Sequence, residues 1–162
     1  MSLGEGALVI AARPSSRFDT PEQSPGFLLW RATLSWQRRI RSVLEPHQLT
    51  HVQFVLLASL WWLADHDDEP PTQVRLAQQA GTDPMMTSQV TRKLETRGLL
   101  ERSLDPTDSR ARRLRLTAAG RALVGRVIAD VEAADEAYFG ALGRQREAFV
   151  QALRTLEAAS VP

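Results

Sequence analysis

The segment Thr82–Leu116, TDPMMTSQVTRKLETRGLLERSLDPTDSRARRLRL, decides how the rest of the chain is interpreted. It opens with a capping signal, because Thr82 or Asp83 precedes Pro84, a residue that is tolerated in the first turn of a helix. Gly98 follows the last residue of the apolar pattern and is typical of a left-handed helix end. The sequence therefore predicts a helix between these two signals.

The two faces of this predicted helix differ in their chemistry. Met86, Val90 and Leu94 recur at helical spacing, which predicts that they face a core. The opposite face offers hydroxyl, amide and thioether groups together with cations, which suit base edges and phosphates in a DNA major groove. The candidate DNA-contacting residues of this helix are Met85, Thr87, Ser88, Gln89, Arg92 and Lys93. An ordinary solvated face is the alternative, and the spacing alone leaves it open.

A β-hairpin is predicted directly after the helix. Residues 99–102 and 111–116 have strand character, and over residues 113–116 arginine alternates with leucine, the period of a half-buried strand. The connection DPTDS has turn chemistry. Three arginines of the second strand are either phosphate contacts or solubilising charges, namely Arg112, Arg113 and Arg115.

Two more helices are predicted before the segment. Thr50 and Gln53 have the spacing of a capping box, and the stretch HVQFVLLASLWWLA that follows Thr50 is apolar almost all round, as in a buried helix. Thr72 caps the short helix QVRLAQQA, which Gly81 joins to the next helix. The residues of this short helix expected to face inward are Val74, Ala77 and Ala80. Two short helices joined by a tight turn, with a hairpin behind them, predict a winged helix-turn-helix over residues 49–117.

Helices with apolar stripes are predicted on both sides of this unit. The first, Pro25–Leu44, has Phe27, Trp30, Leu34 and Ile40 directed toward a core. Thr117 caps a long helix that reaches about Phe139. A last helix carries Phe149, Leu153 and Leu156. A winged core cannot cover all of these stripes. We therefore expect residues 25–48 and 118–162 to form a helical dimerisation region, behind a flexible tail at residues 1–24.

A homodimer with twofold symmetry would have a direct consequence for DNA recognition. It would hold two reading helices about 34 Å apart, which is the spacing of palindromic half-sites in an operator of double-stranded DNA.

Composition narrows the class of protein. The 162 residues carry a net charge of only +1, but residues 84–115 hold eight cations against four acids, which indicates an anionic partner at one face. The chain has no cysteine, and hence no disulfide and no thiolate metal site. No apolar run reaches membrane-spanning length and no signal peptide opens the chain, so the expected compartment is the cytoplasm, without a membrane partner.

The sequence does not suggest an enzyme. The three histidines have no partner at catalytic spacing, and neither an HExxH motif nor a glycine-rich phosphate loop is present. The acidic run around His66 is better explained as a solvated loop than as a metal site, because consecutive side chains cannot all point at one ion. We expect no catalytic residues, no metal and no cofactor.

The phrases DPMMTSQVTRKLETRGLLER and DPTDSRARRLRLTAAG resemble the MarR family of bacterial transcriptional regulators, over about Phe27–Leu156. The resemblance implies a mainly α fold with a small β-hairpin wing, a winged helix-turn-helix flanked by N- and C-terminal dimerisation helices. It implies a homodimer that represses its own operon. It further implies that Arg110, at the tip of the wing, enters the minor groove and that Asp108 orients it.

Many members of that family release DNA when a small aromatic or phenolic effector binds between the dimer part and the reading part. The absence of cysteine excludes the branch that senses oxidants. Candidate effector-binding residues are Trp36, His47 and Trp62, for which core packing or a structural role is the competing explanation. The alternative function is a winged-helix protein-interaction module without DNA binding. Such a module has no need of an arginine tip beside a polar helix.

Overall fold

The computed structural model describes residues 16–159. Its helices and strands are, in chain order, α1 (Pro25–Leu44), α2 (His51–His66), α3 (Gln73–Ala80), α4 (Pro84–Thr96), β1 (Leu100–Leu104), β2 (Arg112–Leu116), α5 (Ala118–Phe139) and α6 (Arg146–Ala159). Short 3-10 turns occur at Pro21–Gln23, Glu45–His47 and Gly140–Gln145. The predicted mainly α fold with one β-hairpin is confirmed.

The predicted helix caps are present in the structure. Thr50 and Gln53 form a complete capping box at the start of α2. The Asp83 carboxylate accepts hydrogen bonds from the backbone N–H groups of Met85 and Met86, at 2.8 and 2.9 Å. After α4, Gly98 has a φ of +68°, the left-handed conformation that ends a helix at low cost for glycine. The caps Thr72 and Thr117, before α3 and α5, are also as predicted.

The two strands form an antiparallel hairpin. Leu100 lies opposite Leu116, and Leu104 lies opposite Arg112. The first strand begins one residue later than predicted and extends further, so the connecting turn spans only residues 105–111. Leu114 and Leu116 are buried as the alternation predicts, which fastens one face of the hairpin to the helices behind it.

The core of residues 36–159 is organised around α2. Five of its side chains are buried, namely Phe54, Leu56, Leu57, Leu60 and Leu63, which confirms the prediction of a buried helix. Leu76 of α3, Leu94 of α4 and Val124 of α5 belong to the same cluster. Helix α4, through Leu94, and the hairpin, through Leu114, therefore both pack against one apolar core.

A boundary between two contact units falls inside α1, between Ser35 and Trp36. In the first unit, the Arg31 guanidinium lies 3.9 Å from the Glu22 carboxylate and over the Phe27 ring. Phe27 and Trp30 are 39% and 61% exposed, so the prediction that they face a core is wrong for a single chain. Of the predicted tail, residues 1–15 lie outside the described residues.

Two further inward orientations predicted from periodicity are wrong. Val74 is exposed and Leu76 is buried in its place. Met86 is also exposed, and the buried face of α4 consists of Thr87, Thr91 and Leu94. Leu94 is buried and Val90 packs against the core, as predicted, so the spacing is wrong for Met86 alone. Thr87 and Thr91 are buried beside them, because threonine can be buried when its hydroxyl bonds to the helix backbone.

The start of α5 makes an unusually close contact with the segment that follows α4. A Cβ atom at Gly120 would lie 1.9 Å from the carbonyl oxygen of Leu99. The same carbonyl accepts the N–H of Thr117 at 3.2 Å. This contact joins the helix-turn-helix to α5. Within residues 16–159, none of the helices combines the length and the hydrophobicity needed to cross a membrane.

Candidate nucleic-acid interface

The exposed face of α4 carries most of the predicted DNA-contacting side chains. Met85 is 72% exposed, and Gln89, Arg92 and Lys93 are also exposed, while Ser88 is half-buried. At about 100° per residue, Met85, Gln89 and Arg92 fall within an arc of about 60°. An amide, a thioether and a guanidinium thus project together from one side of the helix.

Thr87 is not part of that face. Its side chain is fully buried, and its hydroxyl hydrogen-bonds to the Asp83 carbonyl and the Thr82 hydroxyl, both at 2.8 Å. The prediction that Thr87 lies on the DNA-contacting face is therefore wrong. The residue lies about 200° around the helix from Met85, on the side that packs against the core.

The turn of the wing is shaped by Asp108. Its carboxylate accepts the backbone N–H of Arg110 at 2.9 Å, and its carbonyl accepts the N–H of Ala111 at 2.9 Å. Arg110 is exposed, and no carboxylate of residues 16–159 forms an ion pair with its guanidinium. Asp108 thus orders the backbone beneath Arg110 and leaves the charged group available.

A cleft of about 570 Å³ lies between α4 and the wing. It brings together five of the predicted residues, namely Ser88, Arg92, Asp108, Arg110 and Arg112. The polar helix and the arginine tip therefore open onto one shared surface. The cleft also contains Arg102, a cation that the sequence analysis did not single out, whose Nε is buried without an acceptor among the described residues.

The wing is anchored by an ion pair that the sequence analysis missed. Asp105 is buried, and its carboxylate accepts hydrogen bonds from the backbone and hydroxyl of Thr107, from the N–H of Asp108, and from Nε of Arg113 at 2.5 Å. The guanidinium of Arg113 also meets the Glu69 carboxylate at 2.6 Å and the Pro70 carbonyl at 2.9 Å.

These bonds have consequences for charge and for position. Hydrogen bonds from Thr107, and then from Arg113 and Asp108, hold the pKa of Asp105 well below its usual range. The pair with Asp105 raises the pKa of Arg113. Arg113 is thus occupied within the chain and is not a free phosphate contact. It ties the hairpin to the loop between α2 and α3, and so sets the position of the wing.

The other wing cations behave differently from one another. Nη1 of Arg112 bends back toward the carbonyl oxygens of Ser109 and Ala111, both at 3.2 Å. Arg115 is exposed. Arg112 lines the cleft between α4 and the wing, whereas Arg115 lies beside the acidic residues Asp67, Asp68 and Glu69 of the loop between α2 and α3.

The three predicted effector residues do not converge. Trp36 donates from Nε1 to the Asp135 carboxylate at 2.7 Å and meets the ring of His51 edge-on, with centroids 5.0 Å apart. His47 pairs with Asp130 at 3.0 Å. Trp62 stacks on His66, with centroids 4.0 Å apart, about 16 Å along α2 from His51. Trp62 therefore lies apart from Trp36, and the prediction that the two line one effector pocket is wrong.

A second cleft lies beside the contact between Trp36 and His51. Its volume is about 610 Å³, and it is lined by Gln37, Arg41, Glu45, Gln48, Leu49, Thr50 and His51. Burial lowers the pKa of His51, and the Asp135 carboxylate opposes this effect. The cleft thus offers the imidazole of His51, whose neutral form burial favours, the guanidinium of Arg41 and the apolar side chain of Leu49.

The fold and this interface define a winged helix-turn-helix protein, with a polar reading helix and an arginine-tipped wing on one surface. Comparison with known proteins agrees, because the model of the MarR family matches residues 49–111. A relative from Bacillus subtilis (strain 168), the uncharacterized HTH-type transcriptional regulator YdcH, is 45% identical over 141 residues, or 87% of this chain and 95% of YdcH. The chain belongs to the MarR family of transcriptional regulators.

Two solved structures extend the comparison to function. BpsR of Bordetella bronchiseptica, whose DNA binding is regulated by 6-hydroxynicotinic acid, has a TM-score of 0.76 at 29% identity, covering 87% of this chain and 96% of BpsR. The transcriptional repressor CouR, bound to a 23-mer DNA duplex, has a TM-score of 0.74 at 29% identity, covering 84% of this chain and 94% of CouR.

Proposed function

We propose that this chain is a homodimeric repressor that binds a palindromic operator and releases it when a small aromatic acid binds. The observation that carries the proposal is the shared cleft, in which Ser88 and Arg92 of α4 open onto the same surface as Arg110 of the wing. A reading helix in the major groove and an arginine in the adjacent minor groove need this arrangement.

Each group has a distinct role in this proposal. Gln89 and Ser88 supply hydrogen-bonding groups for base edges, and Arg92 and Lys93 supply charge for phosphates. Arg110 enters the minor groove, where a narrow A·T-rich stretch has an enhanced negative potential. Because the partner is chromosomal DNA, we expect the protein to act in the bacterial cytoplasm.

The dimer is proposed from apolar side chains that one chain leaves exposed. In α1, Leu28, Leu29 and Trp30 are at least 46% exposed, and in α6, Leu153 and Leu156 are 40% and 58% exposed. Large exposed apolar side chains on regular helices are typical of an interface rather than of a free surface. We propose that a second copy covers the helices within residues 25–48 and 118–162.

The effector is proposed to occupy the cleft beside Trp36 and His51. Arg41 can pair with a carboxylate, and Leu49 and His51 can contact an aromatic ring. BpsR responds to 6-hydroxynicotinic acid, an aromatic acid of the same chemical class. His47 lies outside the lining, and we assign it to the ion pair with Asp130 rather than to the ligand.

The first experiment selects binding sites from a random DNA library and then measures affinity against salt concentration. We expect a palindromic site whose affinity falls steeply with salt, because bound phosphates release counterions. Arg110→Ala should weaken binding to that site by roughly tenfold and leave the dimer intact. Arg126→Ala is the matched control, because Arg126 is an exposed cation on α5 and should have no effect.

The outcomes separate the two function classes. Operator recognition is supported if the library yields a binding site and if Arg110→Ala, but not Arg126→Ala, loses affinity for it. If no sequence is enriched and binding to mixed duplexes is negligible at low salt, the protein-interaction alternative is favoured instead.

The effector proposal is tested separately by thermal denaturation. We expect 6-hydroxynicotinic acid, or a hydroxybenzoate of similar size, to raise the melting temperature through preferential binding to the folded state. The rise should disappear in Arg41→Ala. A rise in melting temperature of equal size in that variant would show that the ligand binds at another site.

A further inference from the structure

We propose that Met85 is a specificity-determining residue that recognises the C5 methyl group of a thymine in the major groove. This inference rests on the proposed function, because it names one base feature that the operator must contain. It goes beyond that function by assigning a chemical preference to a single exposed side chain.

The exposure of Met85 needs an explanation. Its side chain is 72% exposed in the chain, the highest value among the exposed large apolar side chains of the described residues. The Asp83 cap binds the backbone N–H of Met85 at 2.8 Å, so the position is ordered rather than frayed. A strongly apolar side chain that is exposed on a capped helical turn is typical of a contact surface.

The location of Met85 favours base contact over phosphate contact. It is the second residue of α4, and side chains of a helix lean toward its N-terminus. The N-terminal residues of a reading helix are the ones that reach base edges. Met85 also lies between Arg92 and Gln89 in angle around the helix, so it occupies the middle of the exposed face.

The chemistry of the side chain then selects the target. A thioether is at best a weak acceptor and has no donor, so it cannot make the hydrogen bonds that distinguish adenine, guanine or cytosine. The major-groove edge has one apolar group, the thymine methyl. A flexible and polarisable methionine can pack against it.

Gln89 provides an independent constraint on where this thymine lies. It follows Met85 by four residues, or about 6 Å along the helix axis, and base pairs are about 3.4 Å apart. A glutamine pairs best with the N6 and N7 positions of adenine. We therefore expect the thymine within about two base pairs of a position that Gln89 reads.

The experiment begins with the operator selected from a random library. Each thymine of one half-site is replaced in turn by deoxyuridine, which removes only the methyl group and keeps the pairing. Affinity is measured at one fixed salt concentration for the unmodified protein and for Met85→Ala, Met85→Leu and Met86→Ala. Met86 is the matched control, since it is the same residue type one position along and lies about 100° away around the helix.

We expect one thymine per half-site at which deoxyuridine weakens binding by about fourfold, equivalent to roughly 0.8 kcal/mol for one buried methyl group. The effect should vanish in Met85→Ala and should be retained in Met85→Leu and Met86→Ala. Because Met85 and Met86 are both exposed, all three variants should fold, which circular dichroism checks.

Three results would overturn the proposal. The first is an operator whose affinity is unchanged by every thymine replacement. The second is a sensitive thymine whose effect persists in Met85→Ala. The third is an equal loss of the effect in Met86→Ala. In each of these cases sequence-specific binding still holds, so operator recognition survives. Failure to select any sequence would instead remove the proposed function and this inference with it.

Discussion

The substitution Gly120→Ala tests the contact that joins the helix-turn-helix to α5. A Cβ atom at this position would lie 1.9 Å from the carbonyl oxygen of Leu99, whereas real Cβ contacts are rarely closer than 3.0 Å. The backbone of Leu99 or the start of α5 must therefore move by more than 1 Å. That movement is large enough to break the hydrogen bond from Thr117 N–H to the Leu99 carbonyl, which is already 3.2 Å long.

The magnitude follows from three effects. Overpacking a well-packed site costs about 1–3 kcal/mol, and the lost backbone hydrogen bond costs about 1 kcal/mol more. Alanine stabilises a helix relative to glycine by about 1 kcal/mol, which offsets part of this cost. We expect Gly120→Ala to lower the free energy of unfolding by about 2 kcal/mol, which lowers the melting temperature by about 4–8 °C for a chain of this size.

A matched control lies five residues further along the same helix. A Cβ atom at Gly125 would meet nothing within 4 Å, so Gly125→Ala should keep or raise stability by up to about 1 kcal/mol. Both variants are compared by thermal and urea denaturation at one protein concentration, because dimerisation makes stability depend on concentration. Equal melting temperatures for the two variants would refute the close packing of α5 against Leu99.

Three further predictions concern the wing, the second cleft and the last helix. Asp105→Asn should weaken operator binding without removing any DNA-facing group, because it removes the carboxylate that pairs with Arg113 and so loosens the anchoring of the wing. Gel-shift titration measures the change in affinity. The pKa of Asp105 is lowered in the fold, so its contribution to stability is present at neutral pH and is lost as pH falls below about 3.9. The gap in melting temperature between wild type and Asp105→Asn should therefore narrow in acid, and a constant gap would contradict it. Burial lowers the pKa of His51, so stability should fall as pH drops through about 6.5, where the unfolded chain takes up the proton first. His51→Gln should flatten that part of the profile of melting temperature against pH. An unchanged profile would show that His51 does not cause this pH dependence. A chain that ends before Gly143 should become monomeric or unfold in sedimentation and denaturation experiments, whereas a dimeric truncation would remove α6 from the interface.

The fold was predictable where local chemistry determines it. Thr50 and Gln53 form the capping box that their spacing predicts, and Gly98 adopts the left-handed conformation expected of a helix end. Such signals act within four or five residues, so they can be read without knowing the tertiary contacts. The family membership followed from the same segments.

The site was predictable only in part. The roles of Gln89, Arg92 and Arg110 in DNA contact stay predictions, although the structure presents these side chains on exposed positions. Thr87 was assigned to the wrong face, because its hydroxyl finds partners in Asp83 and Thr82 that make burial cheap. A residue's polarity alone does not reveal such a partner.

The amino-acid sequence by itself determined the caps, the periods and the turn residues, and through them a winged helix-turn-helix of the MarR family. Only the tertiary structure decided that Arg113 holds the wing through Asp105 and Glu69, that Trp62 lies apart from Trp36, and that Thr87 rather than Met86 is buried on α4. The physical reason is the separation along the sequence between the interacting groups. Capping and periodicity arise between near neighbours, whereas burial and ion pairing depend on groups such as Glu69 and Arg113, which the folded chain brings to 2.6 Å across 44 residues of sequence.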